Sequence, residues 1–513
     1  MKKEIQITIE PHRELDENYI RNLICKKIAV KSNEIKFIKV IRKSIDARQK
    51  KIKINLRLRI YINEKYVAKE KQTIKYNNVA NSEEIIIVGA GPAGLFAALK
   101  LIDLGKKPII IERGKNVRDR RFDIAKITKE HIVNENSNYC FGEGGAGTYS
   151  DGKLYTRSKK RGDVNRILDI LIENGANNNI KIDAHPHIGT NKLPTIIKNI
   201  RDKIIECGGV ILFNSKVIDL IIKSNKINGV KLENQNIIKS KKVILATGHS
   251  SRDIFYLLHK KNIKIELKSF AIGVRVEHKQ KLIDQIQYKC NTRSKFLPPA
   301  SYSLVNQISN RGVYSFCMCP GGVIAPCATK QNEVVTNGWS PSRRNHPNSN
   351  SGIVVELKLN DFKRFKKFGP LAGIEFQKQI EEKAWEIAGK TQKVPAQKLK
   401  DFINNKLSQN MPKTSYIPGI TSCMISDILP KKITRILQDG FKKFDEKMPG
   451  YITNEAIIHA PETRTSSPIR IPRDKNSLEH VQIKGLYPCG EGAGYAGGIM
   501  SAAIDGMKCA NKC

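Results

Sequence analysis

Hydrophobic residues return along this chain at two spacings, and each spacing predicts a different element. Between residues 15 and 28 they recur every three or four positions, as on one buried face of a helix. Between residues 52 and 60 they alternate with Lys, Asn and Arg, which predicts a half-buried strand with a basic outer face. Residues 5–9 and 35–41 are also strand-like. We therefore expect residues 1–78 to form a small α/β domain of β-α-β-β order.

A second unit opens with the apolar run at residues 84–88, after a polar linker. An unbroken β-branched run of this length is typical of a strand buried in a parallel sheet. A helix at 95–104 and a strand at 108–111 are expected next. Near the other end of the chain, a strand at 485–489 and a helix at 499–508 are expected to return to the same sheet. The pattern predicts the α/β class, with a Rossmann-like nucleotide-binding domain.

The order of elements divides the chain into four segments. Residues 1–78 are the N-terminal domain, and residues 82–266 are the first part of the nucleotide-binding domain. Loops rich in Cys, Pro and Gly, followed by helical patterns, fill residues 267–450. We expect this segment to be an inserted mixed α+β substrate domain. Residues 451–513 return to the nucleotide-binding domain.

Composition and charge narrow the class of protein. The chain has 513 residues, which exceeds one domain, and 40% hydrophobic residues, which excludes wholesale disorder. The net charge of +41 would suit a polyanion partner. However, Lys, Asn and Ile crowd every segment, including the expected buried strands, which favours a compositional bias. A nucleic-acid surface on the basic N-terminal face stays as the alternative that is not favoured.

The chain shows no pattern of secretion or membrane insertion. Its N-terminus lacks the apolar core and cleavage site of a signal peptide. The most apolar window, residues 85–104, is interrupted by Gly and Pro, so no membrane span is expected. These observations favour a cytoplasmic enzyme whose eleven cysteines are mostly thiols.

A glycine motif at Gly89, Gly91 and Gly94 has the full context of a dinucleotide site. A strand precedes it, a helix follows it, and Glu112 ends the next strand, where a carboxylate binds ribose hydroxyls. A β carbon at Gly89 would obstruct the turn, and one at Gly91 would hold the phosphates off the backbone. A β carbon at Gly94 would push the helix away from the strand. Arg113, beside the acid, is either placed over adenine or solvated.

Two further copies of the same glycine spacing lack that context. No strand precedes the copy at residues 142–147, and no strand and acid follow the copy at 492–497. The sequence therefore shows one adenine-dinucleotide site and no separate NAD(P) domain.

Four longer strings carry a resemblance to a known family. They are VGAGPAG at 88–94, FGEGGAGTYSDGKL at 141–154, CMCPGG at 317–322 and YPCGEGAGYAGG at 487–498. By these strings the chain resembles the bacterial uncharacterised FAD-dependent dehydrogenases, or NAD(FAD)-utilising dehydrogenases. That family lies within the two-dinucleotide-binding-type flavoprotein superfamily. The basic N-terminal segment also resembles the extra domain of that family.

The resemblance implies bound FAD, held by a Rossmann-like FAD-binding domain. It implies that Gly145, Gly147, Ser150 and Asp151 lie near the pyrophosphate or the ring, and that the main chain of Val217 contacts adenine. It also places Gly490, Glu491, Gly498 and Ile499 around the ribityl chain and isoalloxazine. The full predicted cofactor-binding set is Gly89, Ala90, Gly91, Pro92, Ala93, Gly94, Glu112, Arg113, Gly145, Gly147, Ser150, Asp151, Val217, Ala246, Thr247, Gly248, Gly490, Glu491, Gly498 and Ile499.

Three cysteines leave three interpretations open. Cys317, Cys319 and Cys327 are a three-thiolate metal corner, a redox dithiol that passes electrons to flavin, or thiols that are structural or line the site. A fourth ligand at usable spacing is missing, and the helix after the first glycine motif lacks the paired cysteines of disulfide reductases. Structural or site-lining thiols are therefore favoured, and no metal is expected.

Histidine and arginine supply the remaining candidates for chemistry. His185, His187 and His249 are placed in expected loops, where each is either a proton donor beside flavin or an ordinary hydrogen-bonded residue. Arg464 precedes the last glycine motif and is a candidate neighbour of the ring or of an anionic substrate. No single acid or base is assigned.

The sequence as a whole predicts an FAD-dependent oxidoreductase. Flavin N5 would exchange a hydride with a small organic substrate, and NAD(P)H is a candidate diffusible electron donor. Two alternatives stay open, a flavoenzyme that acts on RNA such as tRNA and a non-catalytic flavin-binding scaffold. Neither the substrate nor the oligomeric state is indicated by any motif.

Overall fold

Strands and helices alternate along the chain in a computed structural model that describes residues 1–67, 74–156 and 162–513. The strands are β1 (Lys2–Ile9), β2 (Ile35–Asp46), β3 (Lys53–Ile62), β4 (Glu84–Val88), β5 (Lys107–Ile111), β6 (Val210–Leu212), β7 (Val217–Lys223), β8 (Lys226–Leu232), β9 (Ile237–Lys239), β10 (Val243–Leu245), β11 (Glu266–Leu267), β12 (Ala271–Lys279), β13 (Val305–Ile308), β14 (Arg311–Cys319), β15 (Val323–Pro326), β16 (Thr336–Trp339), β17 (Asn348–Glu356), β18 (Val394–Lys398), β19 (Ile420–Ser422), β20 (Ile457–Glu462), β21 (Ile469–Arg470) and β22 (Leu486–Pro488). The helices are α1 (Glu17–Ile28), α2 (Pro92–Asp103), α3 (Val117–Glu130), α4 (Val164–Glu173), α5 (Leu193–Glu206), α6 (Arg252–Lys260), α7 (Gln280–Tyr288), α8 (Ala372–Ile387), α9 (Leu399–Ile403), α10 (Lys431–Lys447) and α11 (Ile499–Ala510).

A parallel sheet of order β22-β10-β4-β5-β6 forms the nucleotide-binding part of the fold. Its central strand β4 is buried on both faces. Ile85 and Ile87 pack with α2, α5 and α11 on one side, and Ile86 and Val88 pack with β7, β8 and α6 on the other. The predicted order of strand, glycine turn, helix and strand is confirmed, and the arrangement is Rossmann-like. The carboxyl ends of β4, β5, β10 and β22 share one edge.

Several element boundaries differ from the predicted ones by one to three residues, and two of these differences bear on the glycine turn and the cavity. Helix α2 begins at Pro92 rather than at residue 95, because proline at the first helical position lacks only an N–H that would be unpaired anyway. Strand β10 ends at Leu245 rather than at residue 248. Residues 246–248 leave the strand and line the cavity described below.

A second, seven-stranded sheet has the order β13-β14-β17-β12-β20-β18-β19, and its neighbouring strands are antiparallel except for β18 and β19. It lies across a cavity from the carboxyl edge of the parallel sheet. Helices α7, α8 and α10 contribute to its hydrophobic core. Strand β20 hydrogen-bonds between β12 and β18. The chain therefore leaves this sheet only after Glu462, beyond the expected boundary at residue 450.

The N-terminal residues form a separate three-stranded sheet of order β1-β3-β2 covered by α1. Its β-α-β-β order is the predicted one. Strand β2 also touches the nucleotide-binding part, since the Lys43 amide donates to the Ile182 carbonyl at 2.9 Å. Among the described residues, no helix combines the length and the apolar character needed to traverse a bilayer.

Candidate active site

A large cavity extends from the carboxyl edge of the parallel sheet to the seven-stranded sheet. Its volume is about 1090 Å³, at the upper end of the ~300–1,000 Å³ typical of ligand sites. The glycine turn after β4 and the ends of β5 and β10 form one wall. Residues of β14 and β16 form part of the opposite wall, and the start of α11 lies beside them. Such a cavity at the strand ends is where a doubly wound sheet binds its ligand.

The first glycine turn leaves room for a phosphate at one of its three glycines. Gly89 has φ of +107°, and a β carbon there would lie 2.5 Å from the carbonyl oxygen of Ala246. A β carbon at Gly94 would overlap the carbonyl oxygen of Gly89. By contrast, a β carbon at Gly91 would meet no atom within 4 Å. The space beside Gly91 belongs to the cavity, and α2 starts there without a side-chain cap. Its first amides are thus available to an anion, as a dinucleotide's diphosphate requires.

Glu112 ties the glycine turn to two neighbouring loops. Its side chain is buried, and its carboxylate accepts hydrogen bonds from the amides of Ala90 at 2.9 Å, Gly114 at 2.9 Å and Gly142 at 3.0 Å. A carboxylate offers about four acceptor positions, so room for about one further donor remains. Glu112 also lines the cavity. The remaining acceptor position is sufficient for one ribose hydroxyl, which is the partner predicted for this residue.

Arg113 is held in place rather than solvated. Its guanidinium donates to Asp253 at 3.0 Å and to Asn136 at 2.9 Å, and it lies 4.3 Å from the ring centroid of Phe141. The solvated interpretation is therefore wrong. The side chain lines the cavity, and its place over adenine stays a prediction.

The second glycine-rich loop docks directly onto the first. The Gly144 amide donates to the carbonyl of Ala90 at 2.8 Å. The wholly buried Arg120 holds this loop from the other side, donating to the carbonyls of Asn138 at 2.7 Å and Glu143 at 2.8 Å. Sequence reasoning missed Arg120, because an arginine within the charged face of a helix gives no sign of its burial.

A charged cluster lies where the second loop meets the seven-stranded sheet. Asp151, which is 1% exposed, accepts from Arg344 Nη2 at 2.7 Å. Burial alone would raise the pKa of Asp151, but the charges of Lys153 and Arg344 hold that pKa below its usual range. Asp151 therefore stays ionised and positions Lys153 beside the cavity.

Two of the three candidate cysteines lie together, and the third does not. Lys153 Nζ is 3.6 Å from Cys317 Sγ and 3.9 Å from Cys319 Sγ. The Cys327 carbonyl instead accepts from Cys140 Sγ at 3.7 Å. Across residues 1–67, 74–156 and 162–513 these cysteines make no metal-ligating cluster, so the three-thiolate corner is not assembled.

A separate, buried trio of potential ligands consists of Cys489 and of Asp505 and Cys509 from α11. Arg473 already occupies it, with Nη2 2.6 Å from Asp505 Oδ1 and Nη1 3.4 Å from Cys509 Sγ. A guanidinium in this position supplies the positive charge that a metal ion would bring. The trio therefore serves packing and not metal binding.

The three candidate histidines occupy different environments. His249 Nδ1 lies 3.5 Å from Glu491 Oε1, and both residues line the cavity. His185 lines it too and packs against Tyr155, with 5.2 Å between ring centroids. His187 is engaged by the Ser342 carbonyl at 3.1 Å, and burial lowers its pKa. His249 is thus the histidine best placed beside a predicted cofactor contact.

Arg464 lines the cavity but its charge is already neutralised. Its Nη2 lies 2.7 Å from Glu333 Oε2 and 2.8 Å from Glu381 Oε2, and its Nη1 donates to Thr329 at 2.7 Å. Arg252 completes this buried group through the same two carboxylates. The predicted anion-binding role is not supported, because two ion pairs consume the guanidinium. Sequence reasoning missed the two acids, which are far from Arg464 along the chain.

Most of the predicted cofactor-binding set comes together at the cavity. Ala90, Gly94 and Gly490 stand behind its surface: Ala90 is buried, Gly94 packs on Gly89, and the Gly490 amide donates to Asp505 at 2.8 Å. The members that line the cavity are Gly89, Gly91, Pro92, Ala93, Glu112, Arg113, Gly145, Gly147, Ser150, Asp151, Val217, Ala246, Thr247, Gly248, Glu491, Gly498 and Ile499.

Comparisons with known families and proteins agree with this architecture. Residues 83–285 match the family model "Pyridine nucleotide-disulphide oxidoreductase", and residues 269–465 match "FAD-dependent protein, C-terminal domain-like". Residues 1–61 match a domain of unknown function.

Individual proteins also match. A thiamine thiazole synthase of Methanococcus vannielii is 25% identical over 36% of this chain and 63% of its own length. A solved geranylgeranyl bacteriochlorophyll reductase-like protein of Thermoplasma acidophilum has a TM-score of 0.35 and 15% identity, over 84% of this chain and 77% of that one. An uncharacterised protein of Clostridium beijerinckii is 40% identical, over 96% of this chain and 95% of its own length. The chain thus belongs to the same family as this clostridial protein. Because the chain matches two flavoprotein domain models, this family is one of FAD-dependent oxidoreductases.

Proposed function

We propose that this protein is a dehydrogenase that transfers a hydride between flavin N5 and a small organic substrate, with NAD(P)H as a diffusible electron donor. The observation that carries the proposal is the continuity of the cavity. It joins an anion-binding glycine turn to a wall formed by Cys317 of β14, Asn337 of β16 and Lys153. A cofactor whose diphosphate is bound at the glycine turn would therefore present its reactive end to the opposite wall of the cavity.

The cavity-lining residues named above would hold the FAD. The adenosine half would lie between Glu112 and Val217, with the diphosphate at Gly91 and at the loop around Gly145. The start of α11 would meet the isoalloxazine. Gly498 caps this helix without a side-chain hydrogen bond, and a β carbon there would meet no atom within 4 Å. The positive end of α11 thus faces open space where negative charge develops on flavin reduction.

Strand β14 of the seven-stranded sheet, with β16 and the second glycine-rich loop, would supply the substrate wall. Bound FAD supplies the hydride chemistry itself. Cys317, Asn337 and Lys153 line the cavity on this side, and the Lys153 ammonium would orient an electron-rich group of a substrate. We propose that the substrate domain runs from residue 267 to residue 462, since β20 completes its sheet.

His249 is the proposed proton carrier. It lines the cavity next to Glu491, whose carboxylate lies 3.5 Å from Nδ1. A carboxylate at Nδ1 favours the tautomer with its proton on that nitrogen and leaves Nε2 to exchange a proton with substrate.

Ion pairs on the basic N-terminal face argue against RNA as the substrate. Arg57 and Arg59 of β3 both donate to the Glu4 carboxylate, at 2.7 Å and 2.6 Å. Lys43 is paired with Glu14 at 2.7 Å. These pairs reduce the charge that a phosphate backbone would meet.

Anaerobic reduction of the purified protein tests the proposal. We expect yellow protein whose visible flavin absorbance is bleached by NADH or NADPH and restored by an oxidising substrate from a metabolite panel. His249→Gln should slow turnover by substrate more than bleaching by the nicotinamide. If the purified protein is colourless and does not bind added FAD, the cofactor assignment is contradicted. Bound flavin that no nicotinamide or metabolite reduces favours the scaffold alternative.

A further inference from the structure

Two cysteines at the far wall of the cavity differ sharply in exposure. Cys317 lines the cavity, whereas Cys319, two residues along the same strand, is fully buried. Strand β14 is irregular between Phe316 and Cys319, and Cys317 has a φ of +47°. A positive φ is uncommon for a residue with a side chain. The distortion turns Cys317 out of the regular strand alternation and towards the cavity.

Both sulfurs lie within 4 Å of Lys153 Nζ, and the spacing of the two residues along the strand is compatible with a disulfide. Residues two positions apart are at most ~7 Å apart between Cα atoms, and disulfides span ~4.4–6.8 Å. Cys319 Sγ donates to the carbonyl oxygen of Cys317 at 3.2 Å, so its sulfur already points back along the chain. All eleven cysteines, Cys317 and Cys319 included, are thiols in the structure.

The charges around the pair distinguish the two thiols. Lys153 Nζ lies within 4 Å of both sulfurs, at 3.6 Å and 3.9 Å. The Cys319 side chain also hydrogen-bonds the Cys317 sulfur, and this bond, with the charges of Lys153 and Arg275, holds the pKa of Cys317 well below its usual range. The same hydrogen bond, together with burial, raises the pKa of Cys319. An accessible thiolate beside a buried thiol is the asymmetry that thiol–disulfide exchange uses.

We propose that Cys317 and Cys319 are a redox-active dithiol of this enzyme and that its oxidising substrate is a small-molecule disulfide. The pair faces the interior cavity rather than the outer surface, which favours a small disulfide over a protein one. This location also differs from the helix after the first glycine motif, because α2 contains no cysteine.

The exchange balances in three steps. The Cys317 thiolate attacks one sulfur of the substrate, forms a mixed disulfide and releases the first thiolate. Cys319 then attacks Cys317 Sγ, forms the intramolecular disulfide, and passes its proton to the second departing sulfur. Finally the intramolecular disulfide takes up two electrons and one proton from reduced FAD, which restores the Cys317 thiolate and the Cys319 thiol. This last step rests on the proposed function, since NAD(P)H must supply the electrons.

Thiol titration of the FAD-loaded protein tests the pair without measuring turnover. The protein is equilibrated in glutathione buffers of rising oxidised fraction, quenched in acid, alkylated after unfolding and analysed by peptide mass mapping. We expect Cys317 and Cys319 to become protected together, linked to each other. Cys319→Ser should instead take up one glutathione at Cys317, and Cys317→Ser should take up none at Cys319. Cys423→Ser, a cysteine away from the cavity, is the matched control and should behave as the unaltered chain.

Lys153 provides a second measurement. The alkylation rate of Cys317 should follow a pH profile whose midpoint moves up by at least one pH unit in Lys153→Met and returns with Lys153→Arg. Cysteines 317 and 319 that stay alkylatable in every buffer, a disulfide that maps elsewhere, or an unchanged profile in Lys153→Met overturns the proposal. Flavin bleaching by NAD(P)H, followed in the Cys317→Ser/Cys319→Ser double variant, reports separately on the proposed function.

Discussion

Alanine at Gly91 should separate cofactor binding from folding. Gly91 has φ −74° and ψ −176°, an extended conformation that alanine adopts freely. A β carbon there would meet no protein atom within 4 Å, so no steric cost is expected. Because glycine is the better helix N-cap, the substitution should destabilise the apoprotein by only about 0.5–1 kcal/mol.

The same methyl group would stand in the space that the diphosphate needs. Losing a charge-assisted hydrogen bond costs roughly 1.5–3 kcal/mol, which weakens FAD binding about 10- to 150-fold. Quenching of flavin fluorescence as apoprotein is titrated into FAD gives the dissociation constant, and thermal unfolding of the apoprotein gives the stability. Gly312→Ala is the matched control, since its β carbon would make only ordinary contacts, the nearest at 3.7 Å. An unchanged FAD affinity in Gly91→Ala, or an apoprotein that no longer folds, would refute the reasoning.

Three further substitutions test the site and its support. Glu112→Ala removes the acceptor of three buried amides as well as the proposed ribose partner. The purified protein should therefore lose most of its FAD, and its apoprotein should unfold at a lower denaturant concentration. Full FAD occupancy in this variant would argue against the assignment. Glu462→Gln leaves the fully buried Arg275 guanidinium without its charge partner. The free energy of unfolding, measured in urea, should fall by about 3–5 kcal/mol, and it should fall less when both residues are replaced by leucine. Equal losses in the two variants would contradict the ion-pair explanation. Burial alone would raise the pKa of Glu381, but Arg252 and Arg464 lower it to about 2. Its stabilisation, on the order of 3 kcal/mol, is therefore complete above the unfolded pKa of ~4.3 and is lost as pH falls towards 2; Glu381→Gln should flatten this acid limb of stability, and an equally steep limb would count against it.

The first glycine motif was predictable because its requirements are local. Strand β4, the turn and α2 follow one another directly, and each glycine answers a constraint set within a few residues of chain. Glu112 lies one strand further on and was found by the same reasoning. The N-terminal β-α-β-β order was equally readable, since hydrophobic periodicity reports which face of an element is buried.

Contacts between distant segments were not readable in this way. Arg464 and Glu381 are 83 residues apart along the chain but form a buried ion pair. An arginine in a sequence has the same appearance whether it binds a substrate or a buried carboxylate. Lys153 likewise meets Cys317 across 164 residues, so the sequence left the role of the cysteines open.

The sequence by itself determined the parallel sheet and the glycine turn, because neighbouring residues set strand, turn and helix geometry, and the four strings that resemble a known family indicated the flavoprotein class. Tertiary structure alone decided which charges are neutralised and which face the cavity. The physical reason is that burial and pairing of a charged group depend on whichever remote segment packs over it, and hydrophobic periodicity carries no record of that partner.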